Sequence, residues 1–476
     1  MPPQRTSRPS SPKSADLQLR YLMEIMKDPK LKHRPLSEDQ LFILLNAKLQ
    51  FNWENKKFEI VQSDELMADY HKRYKDFDYH KNLSNLEIFL NRTFDYPAHV
   101  FIKIHKPPKW QRQDPSSIQE MFYAYSPYRA ISKEKDIMTI IKNILSSYFM
   151  DEMIKKSLQD VYGSYERMFD TLPLKFSEIG ESAGYLRDDM LTLWGSEKVY
   201  QPDERLIELY RKKLKVKACY LSFSKPYKVC AADFAKSAVG ETAIERIPFF
   251  VEGGNVVTGF NKRGEKIMII ASSDKDFDWE TKEFLGAYFL EKDGSISFCN
   301  HLEYAKKIEK WGNDLGFRTI VVERNILWPF SVLEMYHLDV FVNIIDGNLL
   351  IPADTKDVRD GRIYNILTAD SLTKLSEAFD VKDIIKLSNA DRKNLAANSI
   401  VFGKVAIVSH PDISEKFIGD LCNRGICVVV PPIVLGIFGD KSDGIRCHTQ
   451  RIFKDPKTQA SSAEAFLIDV GKQKIP

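Results

Sequence analysis

The chain reads as an α/β protein: a mainly helical N-terminal region, then repeated strand–strand–helix–strand modules around an axis. Three observations predict it. Apolar residues recur at helical spacing through most of residues 15–215. From about Lys217 short β-rich runs alternate with single helices. The same order of elements then returns two or three times, the mark of stacked modules, although no residues match between one module and the next.

At 476 residues the chain is long enough for two or three domains and a large core. A hydrophobic content of 43% and a charged content of 28% are ordinary for a soluble globular protein. The formal charge of +3 is small, and no run of like charge reaches the length of a nucleic-acid arm, so nucleic acid is not an expected partner. The six cysteines (Cys219, Cys230, Cys299, Cys422, Cys427 and Cys447) form neither a CxxC pair nor a dense cluster. That argues against a zinc site or a disulfide scaffold and for a reducing compartment. Residues 1–14 are basic, rich in Pro and Ser and without an apolar core, and read as a disordered tail rather than a secretory signal. The longest apolar run, 426–438, is too short to span a bilayer and contains Pro431 and Pro432. A soluble, cytoplasmic protein without membrane contact is expected.

In residues 15–215, Ser37-Glu38-Asp39-Gln40 and Ser84-Asn85-Leu86-Glu87 have the form of capping boxes, each opening an apolar-periodic run. Residues 136–154 carry Ile137, Ile140, Ile141, Ile144, Leu145, Tyr148 and Phe149 as one helical stripe. The aromatic run Phe122-Tyr123-Ala124-Tyr125-Ser126-Pro127-Tyr128 reads as core packing or as the lining of a groove. No chemical motif stands out in this region.

In residues 216–476, 247–251 and 267–271 read as strands joined by turn chemistry over 259–264. Leu302, Ala305, Ile308, Trp311 and Leu315 form a helical stripe stopped by Gly316, followed by a buried strand at 319–322. Strands at 340–345 and 348–351 precede a helix at 371–378. Strands at 399–402 and 405–409 precede a helix bearing Ile413, Phe417, Ile418 and Leu421, with Gly425 as its stop and a strand at 426–430.

The polar residues at the ends of these strands carry the chemistry. Cys447 follows a polar loop, 439–444, and is flanked by Asp443, Arg446, His448, Thr449 and Gln450. A nucleophilic thiol wants such a partly exposed place; the alternative is a buried structural cysteine. Cys422 and Cys427 lie on an apolar helix and strand and read as structural. His337 and Asp339 alternate with Leu338 in a strand-like run and would share a face, the acid binding a cation while the imidazole moves protons; a strand-edge ion pair is the alternative. Glu252 ends an apolar run, and Gly253 and Gly254 after it allow a sharp turn, which by itself would be a hairpin. Asp233 sits in a short apolar stretch and by itself reads as a cap or turn.

Taken in order, Phe250-Val251-Glu252-Gly253-Gly254-Asn255, Tyr336-His337-Leu338-Asp339 with its Asn343-Ile344-Ile345 strand, and Asp443-Gly444-Ile445-Arg446-Cys447-His448-Thr449-Gln450 resemble the guanidino-group-modifying superfamily. Its members include arginine and agmatine deiminases, peptidylarginine deiminases, dimethylarginine hydrolases and glycine amidinotransferases. Glu-Gly-Gly and Gly-Ile-x-Cys-x-Thr-Gln look like the deiminases, and His-Leu-Asp with the Asn-Ile-Ile strand like the amidinotransferases. The stretch from Ala232-Asp233 to Val239-Gly240-Glu241-Thr242 is similar to the first acidic motif of both. The resemblance covers roughly residues 216–453, half of the chain. It departs from the family pattern at Ala232, where many members have Arg, in the short spacing from Asp233 to Glu252, and in a loop before Cys447 with glycines only at its ends.

What the resemblance implies is a five-bladed α/β propeller, the pentein fold, with an added helical N-terminal domain. Cys447 would attack a guanidinium carbon and His337 would transfer protons. Glu252, Asp339 and Asp233 would hold the guanidinium nitrogens, with Asn255 and Arg446 also on the substrate. No metal or organic cofactor is required. The substrate would be a small guanidino compound or a protein arginine, and the outcome deimination or, alternatively, amidino transfer. A propeller that binds a guanidinium or protein ligand without turnover is a third possibility. The N-terminal region would recognise a macromolecular partner or mediate homo-oligomerisation.

Overall fold

The computed structural model describes residues 35–94, 101–111, 120–125, 137–163, 170–173, 191–196, 198–206, 244–249, 253–271, 276–278, 283–322, 337–354, 356–359, 362–365, 367–435 and 444–453, with positions 19, 22, 23, 26, 96, 209 and 251. The N-terminal tail, residues 126–128, Asp233, Glu252 and most of the loop before Cys447 lie outside them.

The first part of the chain contains α1 (Glu38–Asn46), β1 (Lys48–Asn52), β2 (Lys57–Val61), α2 (Asp64–Arg73), α3 (Tyr79–Thr93), β3 (Lys103–His105), β4 (Glu120–Tyr125) and α4 (Ile137–Tyr162). Then come β5 (Asp170–Pro173), β6 (Leu191–Thr192), β7 (Val199–Pro202), β8 (Ile244–Ile247), β9 (Val256–Phe260) and β10 (Lys266–Ala271). They are followed by β11 (Asp276–Asp278), β12 (Glu283–Leu290), β13 (Ile296–Cys299), α5 (His301–Asp314) and β14 (Arg318–Val322). The next are β15 (Asn343–Ile345), β16 (Asn348–Pro352), β17 (Lys356–Arg359), β18 (Arg362–Asn365), α6 (Ala369–Ala378) and β19 (Ile384–Leu387). The last are α7 (Asn389–Lys393), β20 (Ile400–Phe402), β21 (Val405–Ile407), α8 (Glu415–Cys422), β22 (Cys427–Val430) and β23 (Thr449–Phe453).

Among the described residues five sheets share one pattern, an antiparallel pair whose second strand is joined by a parallel third: β6-β7-β8, β9-β10-β14, β15-β16-β19, β20-β21-β22 and β23-β4-β5. Parallel neighbours need a crossover, and α5, α6, α8 and α4 lie between the second and third strands of four of these sheets. The expectation of two or three modules is therefore exceeded. The fifth sheet takes its first strand from the end of the described chain and the other two from the N-terminal region.

The middle strands are buried on both faces, which is why they read as continuous apolar runs. Their two-residue period divides each between two cores. Ile267 and Ile269 of β10 pack with Leu338, Phe341, Ile344 and Leu349, whereas Met268 and Ile270 pack with Tyr304 and Ile308 of α5. In β22, Val428 and Val430 pack with Phe417 and Leu421 of α8, while Cys427 and Val429 join a core that contains Ile140, Ile144 and Phe149 of α4.

Several expectations are corrected. The boundary at 215/216 is crossed by hydrogen-bonded strands: β3 on β22, β4 on β23 and β7 on β8. Tyr162 Oη–H also donates to the Phe402 carbonyl at 2.9 Å, so the N-terminal region shares both sheets and core with the rest. Beside the helices expected there, it also supplies β1 to β7. Ser84 to Glu87 lie inside α3, whose first turn is capped by Asp78 accepting from the Lys81 N–H at 3.1 Å, and Glu87 instead accepts from the Ile60 N–H of β2. The strand expected at 247–251 ends at Ile247 because Pro248 has no N–H for the ladder; Phe249 keeps only a bridge to Phe289. Ser37 does start α1, with Gln40 Oε1 accepting from the Ser37 N–H at 3.0 Å. Gly316 and Gly425 end α5 and α8 at positive φ, as helix stops do. Among the described residues no helix is long and apolar enough to cross a membrane.

Candidate active site

Of the expected site residues, Asn255, His337, Asp339, Arg446 and Cys447 fall on equivalent places in the modules, the segments that lead into the first strand of each, and Asp233 and Glu252 lie outside the described residues. Gly253–Asn255 form a 3-10 turn before β9, Leu338–Val340 one just upstream of β15, and Ile445–His448 one before β23. The strand expected through His337 and Asp339 is thus corrected to a tight turn, closed by the Val340 N–H on the His337 carbonyl and the Val342 N–H on the Leu338 carbonyl. The two side chains are not set by strand alternation. Both are buried all the same, His337 at 6% exposure and Asp339 at 0%.

The turns are stitched to one another. Asn255 Oδ1 accepts from the Leu338 N–H at 3.3 Å. Gly254 lies so close to the imidazole that an added Cβ would sit 2.6 Å from His337 Cγ. Any side chain there would force the imidazole or the turn to move. On the other side, the Arg446 guanidinium bonds to Asn343 Oδ1 and has Nε 3.7 Å from Asp339 Oδ2. Asn343 in turn donates through Nδ2 to the Ala397 carbonyl at 2.8 Å. The structure brings Asp339 and Arg446 together as an internal ion pair, whereas both were expected to face substrate.

Cys447 is corrected from a partly exposed loop to a buried turn at 7% exposure. Its Sγ accepts a hydrogen bond from Asn398 Nδ2 at 3.2 Å. The same amide's Oδ1 accepts the Arg446 N–H at 3.0 Å. Ser409 Oγ joins the two segments, donating to the Asn398 carbonyl at 2.5 Å and accepting the Ile445 N–H at 3.1 Å. A Cβ on Gly444 would meet Asn398 Oδ1 at 2.4 Å and Ser409 Oγ at 2.6 Å, so the turn into Cys447 packs directly on this pair. Thr449 closes the turn with its Oγ1–H on the Ile445 carbonyl at 3.1 Å.

Two of the other described thiols differ in kind. Burial pushes the Cys427 thiol up to about 12 and raises that of Cys422, which leaves both protonated and unreactive at neutral pH. Asn398 was missed by sequence reasoning. The signal that could have found it is an Asn at or just before the first strand of a module, as Asn255 and Asn343 are for β9 and β15.

The sequence matches no family model. No curated protein matches it either. Among solved structures it is similar to the apo form of ArgZ, an arginine dihydrolase from the ornithine-ammonia cycle in cyanobacteria, with a TM-score of 0.41 and 14% identity over 70% of this chain and 39% of that one. It is also similar to AgrE in ternary complex with ornithine and NAD+, with a TM-score of 0.42 and 12% identity over 70% and 39%. A third is a substrate-bound agmatine deiminase from C. jejuni, with a TM-score of 0.41 and 12% identity over 76% and 99%. The chain thus spans 39% of the length of each of the first two. These likenesses are distant.

Proposed function

We propose that the chain is a cysteine-dependent enzyme acting on a guanidino group, with Cys447 as nucleophile and His337 as general acid and base. The observation that carries this reading is the buried arrangement of imidazole and carboxylate on the turn before β15 and of the thiol on the corresponding turn before β23, linked through Asn255, Arg446 and Asn398. The five sheets of common pattern are, in the same reading, the blades of a five-bladed propeller carrying the site near its axis. Glu252 and Asp233, with Asp339, belong to the proposal as the acids that hold guanidinium nitrogens through planar, charge-assisted hydrogen bonds.

In the hydrolytic course the Cys447 thiolate forms a bond to the guanidinium carbon, and ammonia leaves with a proton from His337. His337 then takes a proton from water, whose oxygen attacks the same carbon; the carbon–sulfur bond breaks, leaving a ureido product and free thiol. In the transfer course the alkyl amine leaves instead, and an acceptor amine takes the place of water. The Glu-Gly-Gly and Cys-x-Thr-Gln motifs favour the hydrolytic course.

The Arg446–Asp339 pair favours one second reading. An acid that already holds a guanidinium must share or exchange it before binding another, which suits a protein that binds a guanidinium ligand without turnover. Incubation with a panel of guanidino compounds and arginine peptides, followed by intact mass in acid, separates the two. An adduct on Cys447 that is absent from Cys447→Ser supports the enzyme; binding with no adduct and no product supports the second reading. Water alone against an added amine then distinguishes deiminase from amidinotransferase.

A further inference from the structure

We propose that Asn398 is the positioning residue for the Cys447 thiolate, a role resting on the reading of Cys447 as nucleophile. Asn398 is 0% exposed, and its amide orientation is not free. The Arg446 N–H must meet an acceptor, which fixes Oδ1 there and turns the Nδ2 donor onto Cys447 Sγ at 3.2 Å. Every polar group of the residue's backbone is also engaged: its N–H donates to the Leu395 carbonyl at 2.9 Å, and its carbonyl accepts from Ser409 Oγ. Leu395 holds φ at +58° to make that turn, a left-handed conformation that a leucine adopts only where the surroundings impose it. Asn398 is thus presented to the sulfur by a rigid frame on a different segment from Cys447. A hydrogen bond to a thiolate is charge-assisted and stronger than one to a thiol, so the donor favours the ionised, nucleophilic form. Burial alone would do the opposite, as it does at Cys427.

The test follows alkylation of Cys447 by iodoacetamide as a function of pH, read on the Cys447 peptide by mass spectrometry in the full-length protein. Asn398→Asp keeps the shape and the acceptor for Arg446 but puts a carboxylate where the donor was, and Asn398→Leu removes the donor without adding a charge. Both are expected to raise the alkylation midpoint, Asn398→Leu by about one pH unit or more, which is about a tenfold slower reaction at neutral pH. Asn300→Ala removes the side chain that caps α5, in a separate core; it should lower the melting temperature and leave the midpoint where it was. The proposal is overturned if Asn398→Leu and the unsubstituted chain share a midpoint, or if Asn300→Ala moves it as far. Should neither Asn398 variant fold, the unsubstituted chain decides: a folded-state midpoint no lower than that of the same cysteine in denaturant, or no alkylation of folded Cys447 at any pH, overturns the proposal. None of these measurements uses a guanidino substrate, so failure here is distinct from failure of the reaction assigned above.

Discussion

At the scale of single residues, the site is organised by close approach and by one ion pair. Gly254→Ala puts a methyl group against His337, and relief requires the imidazole or the turn to move. A loss of about 1–3 kcal/mol is expected from this overpacking, measurable by denaturant unfolding, together with loss of turnover wherever His337 transfers protons. Arg446→Met leaves Asp339 buried without its cation and should cost about 3–5 kcal/mol. Adding Asp339→Asn should recover a large part of that loss in the double variant, and strictly additive losses would contradict the pairing. Cys447, His337 and Asp339 were legible as residue types at strand ends. What could not be read was that Arg446 turns back onto Asp339, because two residues so distant in sequence announce no contact in either local pattern. Asn398 went unread because its one mark, an Asn just before the first strand of a module, shows only when the modules are set side by side; within Ala396-Ala397-Asn398-Ser399 it reads as a turn residue.

At the scale of elements, the helices α5 and α8 and the strands β10, β16 and β22 were legible because their apolar patterns are long or unbroken. Short 3-10 turns were not, since over three residues their period cannot be told from that of a strand, and this is what misled the reading of 337–342. Asn300 forms a capping box at α5, accepting from the Glu303 N–H at 3.0 Å while Glu303 Oε2 accepts from the Asn300 N–H at 3.3 Å. Asn300→Ala should lower stability by about 1 kcal/mol. The buried Cys427 of β22 makes stability depend on pH. Its thiol, ordinarily at 9.0, is raised to about 12 in the folded chain by burial. Unfolded protein therefore loses this proton first. The contribution is whole below about pH 9 and is lost as pH rises from there toward 12. Cys427→Ala should flatten the stability curve over that window; an unchanged slope in denaturant titrations would exclude this origin.

At the scale of the whole molecule, the N-terminal region is part of the same structure as the candidate site. A chain beginning at residue 216 would lack β3, β4, β5, β6 and β7, leaving β23 and β8 without their partner strands, baring one edge of β22 and removing α4 from the core it shares with β22. It should fail to give a cooperative melting transition, whereas an independently folding catalytic half would melt sharply. Three modules were legible from residue 217 onward; β6-β7-β8 was not, because two of its strands lie in the region read as helical, nor was β23-β4-β5, whose strands come from opposite ends of the described chain and leave no local trace of their pairing. That junction has a consequence for biosynthesis. While the protein is being translated, β4 has emerged long before β23 exists, so the growing chain carries an incomplete sheet until residues 449–453 leave the ribosome. The exposed strand edge is a site for wrong pairing throughout that interval, and closure is a long-range step that comes late. Chains truncated before residue 449 should accordingly stay protease-sensitive, and resistance should appear in one step once residues 449–453 are present and free to pair.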